Sequence, residues 1–171
     1  KIPKKDPLAP LTQLLTIRPG ELILLQGPSG SGKSKFLHEL VGLAPTGTLV
    51  NLQWNNKLII DRFAFCIPPH VALARQKIQL IPGRSLRENI CRGHSNPTLL
   101  QDLLKATGLA SDLLHQGLSL EQQLDAVETL PLSTQQRIAL ARALFQPADL
   151  YLLDEVTTAL DSITEQRIIQ I

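Results

Sequence analysis

Two groups of residues in this chain have the types and the spacing that phosphate chemistry requires. The first is GPSGSGKS, which begins at Gly27 and fits the pattern G-x-x-x-x-G-K-[ST]. Gly27, Gly30 and Gly32 let the backbone curl, so that successive N–H groups can point at phosphate oxygens beside the positive end of the following helix. Lys33 can reach the β- and γ-phosphates of a nucleotide, and the Ser34 hydroxyl can ligate Mg²⁺. A glycine-rich turn without a ligand is the alternative, and the full spacing argues against it.

The second group is a pair of acids at the end of an apolar run, LYLLDE. A phosphate-binding loop needs a second anchor for Mg²⁺, and Asp154 at the end of a strand supplies one. Glu155 is placed to take a proton from a water molecule that attacks the terminal phosphate. A buried strand that merely ends in two solvated acids is the alternative, and the upstream phosphate loop argues against it.

Short apolar runs and turn residues predict the elements that position these groups. Leu22–Leu25 is predicted as a buried strand, followed by a helix from about Lys33 to near Gly42. Residues 48–60 are strand-like with WNNK as a turn, and HVALARQ is predicted as another strand. LYLLD is typical of a buried strand in a parallel sheet. This alternation predicts an α/β fold.

Residues 85–130 are predicted to be mostly helical. Asn96 followed by Pro97 and ended by Gly108 marks one helix by its start and stop signals. Three Ser-x-x-Glu/Gln capping boxes predict further helix starts, at Ser85 with Glu88, Ser119 with Gln122 and Ser133 with Gln136.

The composition allows a folded domain and favours no strongly charged partner. The 171 residues are one domain's worth of chain, with 43% hydrophobic and 19% charged residues. A net charge of +2, spread along the chain, argues against nucleic acid as a partner. The two cysteines, Cys66 and Cys91, lack metal-ligand spacing, which predicts reduced thiols. The apolar runs fall far short of the ~20 residues that span a bilayer.

Four motifs in a fixed order carry a family resemblance. GPSGSGKS, QRIALARAL, LYLLDE and TTALD together resemble the nucleotide-binding domain of an ATP-binding cassette (ABC) ATPase. The resemblance covers nearly the whole chain. It implies a P-loop NTPase core with a mainly parallel sheet, N-terminal antiparallel β elements and an inserted helical subdomain. The domain would occupy residues 1–171 and the helical subdomain residues 85–133. Because the chain starts at Lys1 and contains no Met, we expect an excerpt of a longer polypeptide. The resemblance implies a C-terminal switch region a few tens of residues after Glu155, which we expect to lie outside this excerpt.

The same resemblance implies roles for individual residues around ATP and Mg²⁺. Glu155 and Lys33 would be catalytic. Gln76 would be the Q-loop glutamine, which joins Ser34 and Asp154 at Mg²⁺ and senses a transmembrane partner. The nucleotide contacts would be Gly27, Pro28, Ser29, Gly30, Ser31, Gly32, Lys33, Ser34, Lys35 and Gln76. Lys35 stands where the family usually has a small hydroxyl residue.

Further residues would serve a dimer of two such domains, each of which contributes to both ATP sites. Asp161, in TTALD, resembles the D-loop aspartate that crosses the dimer interface. Ser133 and Thr134 would belong to the signature loop, which faces the ATP of the second nucleotide-binding domain. LIPGRSLRENICRG, residues 80–93, is similar to the segment after the Q-loop in exporter-type domains.

The signature loop departs from the family pattern Leu-Ser-Gly-Gly-Gln. An alignment on the following QQR places Pro-Leu-Ser-Thr, residues 131–134, where Ser-Gly-Gly-Gln belongs. Pro131 has no N–H to donate, and Leu132 would crowd a phosphate. LPLSTQQR resembles more closely the Leu-Ser-Leu-Gly-Glu-Gln-Gln-Arg variant of certain exporter-type domains. A helix simply capped by Ser133 is the structural alternative.

The sequence therefore predicts an exporter-type ABC domain that hydrolyses ATP with Mg²⁺ and couples this reaction to transmembrane transport. Its predicted partners are a transmembrane domain and a second nucleotide-binding domain, in a homodimer or heterodimer, at the cytoplasmic face of the cell (inner) membrane. Two alternatives stay open. One is a non-transport ABC ATPase that acts on nucleic acid or the ribosome. The other is an ATP-binding subunit with one degenerate site in an asymmetric heterodimer.

Overall fold

A computed structural model of the chain describes residues 15–44, 52–61, 64, 70–75, 78–123 and 130–156. The chain forms two compact units, Lys1–Cys66 and Ile67–Ile171. Two of the predicted site residues, Gln76 and Asp161, lie outside the described residues.

In the first unit, the described elements are one helix and one hairpin. Helix α1 spans Lys33–Leu40 and is followed by Gly42 in the left-handed region, at φ 69°. Strands β1 (Gln53–Trp54) and β2 (Lys57–Leu58) pair antiparallel. Asn55 and Asn56 connect them with φ values of 50° and 62°, the left-handed geometry that two-residue hairpin turns require. The predicted WNNK turn and the predicted antiparallel β element are both confirmed.

The predicted buried strand at Leu22–Leu25 is wrong in this structure. Leu22 and Leu24 are 72% and 75% exposed, and no strand is assigned there. A strand exists through hydrogen bonds to a neighbouring strand. Among the described residues of the first unit, the only such pairing is between β1 and β2, so this apolar run has no partner within its unit.

In the second unit, two strands pair in parallel. Strand β3 (Val71–Ala74) matches HVALARQ, and strand β4 (Leu150–Leu153) matches LYLLD. Their register sets Val71 opposite Leu150 and Ala74 opposite Leu153. Both predicted strands are confirmed, as is the parallel arrangement that joins them.

Between these strands, the described residues form four helices: α2 (Leu86–Cys91), α3 (Pro97–Ala106), α4 (Leu109–His115) and α5 (Leu132–Phe145). Helix α5 is central to the core of this unit, because it packs on α2, α3, α4 and β3. Ile138, Leu140 and Ala141 of α5 are completely buried, beside apolar residues of the other helices. The prediction of an inserted helical subdomain at residues 85–133 stays a prediction, and α2, α3 and α4 fall within it.

Of the residues predicted to cap helices, some form the capping hydrogen bond and others do not. Ser85 caps α2 as half of a complete capping box with Glu88, and the Asn96 side chain accepts from the Leu99 N–H of α3. Both predictions are confirmed. The predicted cap at Ser133 is wrong, because Pro131 precedes the first helical residue and its fixed φ of −53° suits a helix start.

The predicted helix start at Ser119 is also wrong, for a reason that lies in α2. The carbonyl groups of Leu120 and Gln122 accept hydrogen bonds from the N–H groups of Arg87 and Leu86, at 2.8 and 3.0 Å. These donors belong to the first turn of α2, where no intrahelical acceptor exists. The segment after Ser119 therefore forms a turn that satisfies the start of another helix.

A buried polar pair fastens the loop before α2 to α5. Asn89 exchanges hydrogen bonds with the backbone of Ile81 and also donates to the carbonyl groups of Arg84 and Ser85. The Arg142 guanidinium donates to the Asn89 carbonyl at 2.9 Å and to the Gln79 carbonyl at 2.8 Å. Burial lowers the pKa of Arg142 to about 10, and the nearby charge of Arg92 acts in the same direction.

Candidate functional site

The phosphate loop, residues 27–34, adopts a conformation that depends on its glycines. Gly30 and Gly32 have φ values of 77° and 92°, which L side chains rarely adopt. A Cβ atom on Gly27 would lie 2.8 Å from the Ser31 hydroxyl oxygen, so a side chain there would require this hydroxyl to move. The two glycines that the motif fixes, Gly27 and Gly32, therefore suit the loop for different reasons, close approach and positive φ, and Gly30 adds a second positive-φ position.

Lys33 is folded back over this loop. Its ammonium donates to the carbonyl oxygens of Gly27 and Pro28, at 3.0 and 3.1 Å. The loop backbone is thus wrapped around a positive charge at the first residue of α1. An anion bound inside the loop would meet both this ammonium and the N–H groups at the helix start.

The start of α1 suits an anionic ligand. Its N-terminal residue, Gly32, supplies no side-chain cap, and the first turn contains no acidic residue. The helix start is therefore electropositive without a built-in competitor for an anion. Lys35 is directed to a neighbour on its own helix, since its ammonium lies 3.8 Å from Oε1 of the buried Glu39. Lys35 remains a predicted nucleotide contact, as do Ser29 and Ser34.

The acid pair lies at the end of β4 in the second unit. The Asp154 N–H donates to the Ala74 carbonyl at 2.9 Å, which extends the pairing of β3 with β4, and its side chain is buried. Glu155 is exposed and has a φ of 53°, the left-handed region that a residue with a side chain rarely adopts. Adjacent carboxylates thus have different surroundings, which suits a metal ligand and a proton acceptor.

The segment predicted to be the signature loop leads directly into α5. Leu132 is 56% exposed and Ser133 is half-buried, whereas Thr134 is buried. The Thr134 hydroxyl accepts from the Gln116 amide at 2.8 Å and donates to the Asp112 carboxylate at 3.2 Å. The roles of Ser133 and Thr134 at a dimer interface stay predictions. Within this chain, the Thr134 hydroxyl hydrogen-bonds to residues of α4 and its C-terminal end.

One residue beside the acid pair was missed by the sequence reasoning. Gln136 of α5 is 1% exposed, and its amide donates to the carbonyl oxygen of Glu155 at 3.4 Å. The only sequence signal was a polar residue on an otherwise apolar helix that runs from Leu132 to Phe145. Helical periodicity marks such a residue as an exception but does not identify its partner.

Comparison with known proteins agrees with these motifs. The family model described as "ABC transporter" matches residues 13–158. The chain is 35% identical over 158 residues to an ATP-dependent lipid A-core flippase of Acinetobacter baylyi, covering 88% of the chain and 27% of that protein. It is 34% identical over 166 residues to a lactococcin transport/processing ATP-binding protein of Lactococcus lactis, covering 91% of the chain and 22% of that protein.

Import proteins are similar as well. The chain is 34% identical over 160 residues to the aliphatic sulfonates import ATP-binding protein SsuB 2 of Burkholderia cenocepacia, covering 90% of the chain and 53% of that protein. The chain thus spans between about a fifth and about a half of the length of these three relatives.

The fold has a solved counterpart. A bacterial Atm1-family ABC exporter with ATP bound superposes with a TM-score of 0.66 at 22% identity, over 82% of this chain and 25% of that one. This likeness shows the P-loop NTPase fold. None of the helices in the described ranges is long and apolar enough to cross a membrane. The matched family model covers most of the chain, which therefore belongs to the ABC transporter family as an ATP-binding domain.

Proposed function

We propose that this chain binds ATP together with Mg²⁺ and hydrolyses it to drive an exporter-type transporter. Members of its family are ATPases coupled to transport, and their domains bind ATP, generally with Mg²⁺. The proposal rests on one observation, the different environments of the two acids at the end of β4. Asp154 is buried, whereas Glu155 is exposed and has a left-handed backbone conformation.

The residues present suit Mg²⁺. This cation prefers oxygen ligands, and the proposed set is the hydroxyl of Ser34, the carboxylate of Asp154 and the amide oxygen of Gln76. When bound, Mg²⁺ would neutralise charge on the phosphate oxygens. Burial of Asp154 at a strand end holds its carboxylate in one place, as a metal ligand requires.

The proposed reaction is an in-line attack of water on the γ-phosphate of ATP. Glu155 orients this water and accepts its proton. Lys33 leaves the Gly27 and Pro28 carbonyl groups and donates to phosphate oxygens, while the loop N–H groups hold the nucleotide in place. The bond between the γ-phosphorus and the bridging oxygen breaks, and ADP and inorganic phosphate leave.

The proposed partners are a transmembrane domain and a second nucleotide-binding domain, at the cytoplasmic face of the cell (inner) membrane. Support for an exporter comes from LIPGRSLRENICRG and from the names of two relatives, a flippase and a transport/processing protein. The chain also resembles an ATP-binding protein of an import system. This resemblance supports an ATP-driven step common to both kinds of transporter and does not indicate a direction of transport. Asp161 is proposed to lie at the interface between the two nucleotide-binding domains.

A second candidate is an asymmetric heterodimer in which this chain's signature loop serves a degenerate site. Three features of the start of α5 support it. Pro131 offers no N–H, the exposed Leu132 occupies the place of a glycine, and the Thr134 hydroxyl is engaged within the chain. In that arrangement Glu155 and Lys33 still serve the active site, so the proposed chemistry of this chain is the same.

The test is Glu155→Gln in the full-length protein. The amide cannot accept the proton, so turnover of ATP should fall by at least about 10²-fold while ATP binding is retained. Glu121→Gln is the matched control, because Glu121 is an exposed acid paired with Arg87 on the surface. Near-normal turnover by Glu155→Gln would show that Glu155 does not act in hydrolysis.

A further inference from the structure

Glu155 has a backbone conformation that must be held in place by its surroundings. Its φ of 53° is unfavourable for a residue with a Cβ atom, and such conformations persist where neighbouring contacts fix them. The direction in which the Glu155 side chain leaves the backbone depends on this dihedral. Whatever fixes the backbone therefore also aims the carboxylate.

Three contacts fix the backbone around Glu155. On one side, the Asp154 N–H donates to the Ala74 carbonyl of β3. On the other, the Val156 side chain is completely buried in the core. Between them, the carbonyl group of Glu155 itself accepts from the Gln136 amide at 3.4 Å. This last contact acts directly on the peptide unit of Glu155 and comes from a different element.

Contacts between α5 and α4 hold the turn of α5 that carries Gln136. Two residues before Gln136, the Thr134 hydroxyl accepts from the Gln116 amide, just after the end of α4, and donates to the carboxylate of Asp112 within α4. One residue after it, the Arg137 guanidinium lies 3.4 Å from the same Asp112 carboxylate. The turn of α5 that carries Gln136 is therefore tied to α4 from both sides.

We propose that Gln136 is a positioning residue for Glu155, which it aims by holding the Glu155 carbonyl group. This inference rests on the proposed function, since it assigns meaning to the orientation of the Glu155 carboxylate. It extends that function by linking α4 and the start of α5 to hydrolysis through one buried amide. A displacement of the α5 start would shift Gln136 and with it the peptide unit of Glu155.

The first experiment compares Gln136→Met with Gln135→Met in the full-length protein. Methionine keeps the length and volume of glutamine but removes the amide donor. Gln135 is the matched control, because it is the neighbouring glutamine and its amide also donates to a backbone carbonyl, that of Leu130 at 2.9 Å. Gln136→Met should lower kcat by about 10-fold and leave the KM for ATP within about 2-fold, because misaligned catalytic groups lose rate before they lose binding. Equal kcat values for the two variants would overturn the proposal.

A second variant carries the test if Gln136→Met does not fold. In Gln136→Glu the new side chain can donate to the Glu155 carbonyl only when its carboxyl group is protonated, and burial raises the pKa of such a group. Its kcat relative to the wild type at the same pH should therefore rise as the pH falls from about 8.5 to about 6. A ratio that does not change with pH would contradict the proposal.

The Glu155→Gln variant separates this inference from the proposed function. If Glu155→Gln retains turnover, the proposed function fails, and the positioning role fails with it. If Glu155→Gln loses turnover while Gln136→Met keeps it, only the positioning role fails. If both lose turnover and Gln136→Met adds less than about 2-fold in the Glu155→Gln background, the two residues act as one unit, as proposed.

Discussion

The two runs Leu22–Leu25 and Leu150–Leu153 are similar in sequence and different in structure. Each is four residues long, rich in leucine and followed by residues that can bind a nucleotide or its metal. The second run forms β4, pairs with β3 and buries Leu152. The first forms no strand, and its Leu24 is 75% exposed. Apolar character alone therefore does not define a strand, because the hydrogen-bonding partner has to be present.

The same contrast extends to the chemistry that each run precedes. The phosphate loop is stabilised by local contacts among its own residues, such as the bonds from Lys33 to Gly27 and Pro28. The acid pair depends on distant residues, including Ala74 and Gln136. Substitutions in the first region should therefore affect function with little effect on folding, whereas substitutions in the second should affect both.

The largest expected effect is that of Lys33→Met. Loss of the ammonium that we propose stabilises the transferring phosphate should lower ATP turnover by about 10³-fold, or about 4 kcal/mol. The free energy of unfolding should change by less than about 1 kcal/mol, because the described hydrogen bonds of Lys33 go to loop carbonyl groups in a partly exposed setting.

Lys57→Met is the control for that experiment, since Lys57 is an exposed lysine in the β2 strand. Turnover is measured by phosphate release and stability by urea unfolding. A loss of stability as large as the loss of activity would show that the phosphate loop contributes to the stability of the fold. This result would contradict the expected difference between the two regions.

The next effect should be on stability and comes from the second region. Arg142→Leu removes the donors of the Asn89 and Gln79 carbonyl groups, and unsatisfied buried acceptors cost about 1–3 kcal/mol each. We expect a loss of about 3 kcal/mol in the free energy of unfolding. Arg87→Leu removes an exposed ion pair with Glu121 and should cost less than about 1 kcal/mol. Similar losses for both arginines would show that the buried network is not stabilising.

The smallest effect tests the capping box of α2. Ser85→Ala should lower the free energy of unfolding by about 1 kcal/mol, because the Glu88 N–H loses its acceptor. Ser119→Ala is the matched control, since Ser119 has the same sequence pattern but begins a turn, and it should change stability by less than about 0.5 kcal/mol. Urea unfolding of both variants would separate the two patterns, and equal losses would contradict the assignment.

The same box predicts a pH dependence. The Ser85 N–H donates to the Glu88 carboxylate at 2.8 Å, and hydrogen bonding of this carboxylate to the backbone and then the side chain of Ser85 lowers the pKa of Glu88. A lowered pKa means that this stabilisation is present above the ordinary pKa of glutamate and is lost as the pH falls through the lowered value. Glu88→Gln should remove this part of the acid sensitivity in an unfolding titration.

Much of the local structure could be predicted from short patterns. The hairpin turn at Asn55–Asn56, the Asn96 cap and the β4 strand all follow from residues that are adjacent in sequence. The errors at Ser119 and Leu22–Leu25 have a common cause. In each case contacts beyond the local pattern decide the outcome. The carbonyl groups after Ser119 accept from the start of α2, and Leu22–Leu25 pairs with no strand among the described residues of its unit.

The candidate site shows the same division. The motifs that identify the family are contiguous, so the sequence names Lys33, Asp154 and Glu155 directly. The contact of Gln136 with the Glu155 carbonyl spans 19 residues, and that of Arg142 with Gln79 spans 63. Neither contact has a periodicity or a spacing that a single sequence could reveal, because both arise only when α5 packs in the core.

The position of Lys33 has a consequence for the release of product. The Lys33 ammonium has two oxygen partners within the loop itself, the carbonyl groups of Gly27 and Pro28. When the nucleotide departs, the cation can return to them, so release does not leave an isolated charge behind. Binding and release thus become an exchange of one set of oxygen atoms for another. If the loop binds ATP as proposed, such an exchange would limit how tightly it retains ADP and would favour product release in repeated cycles.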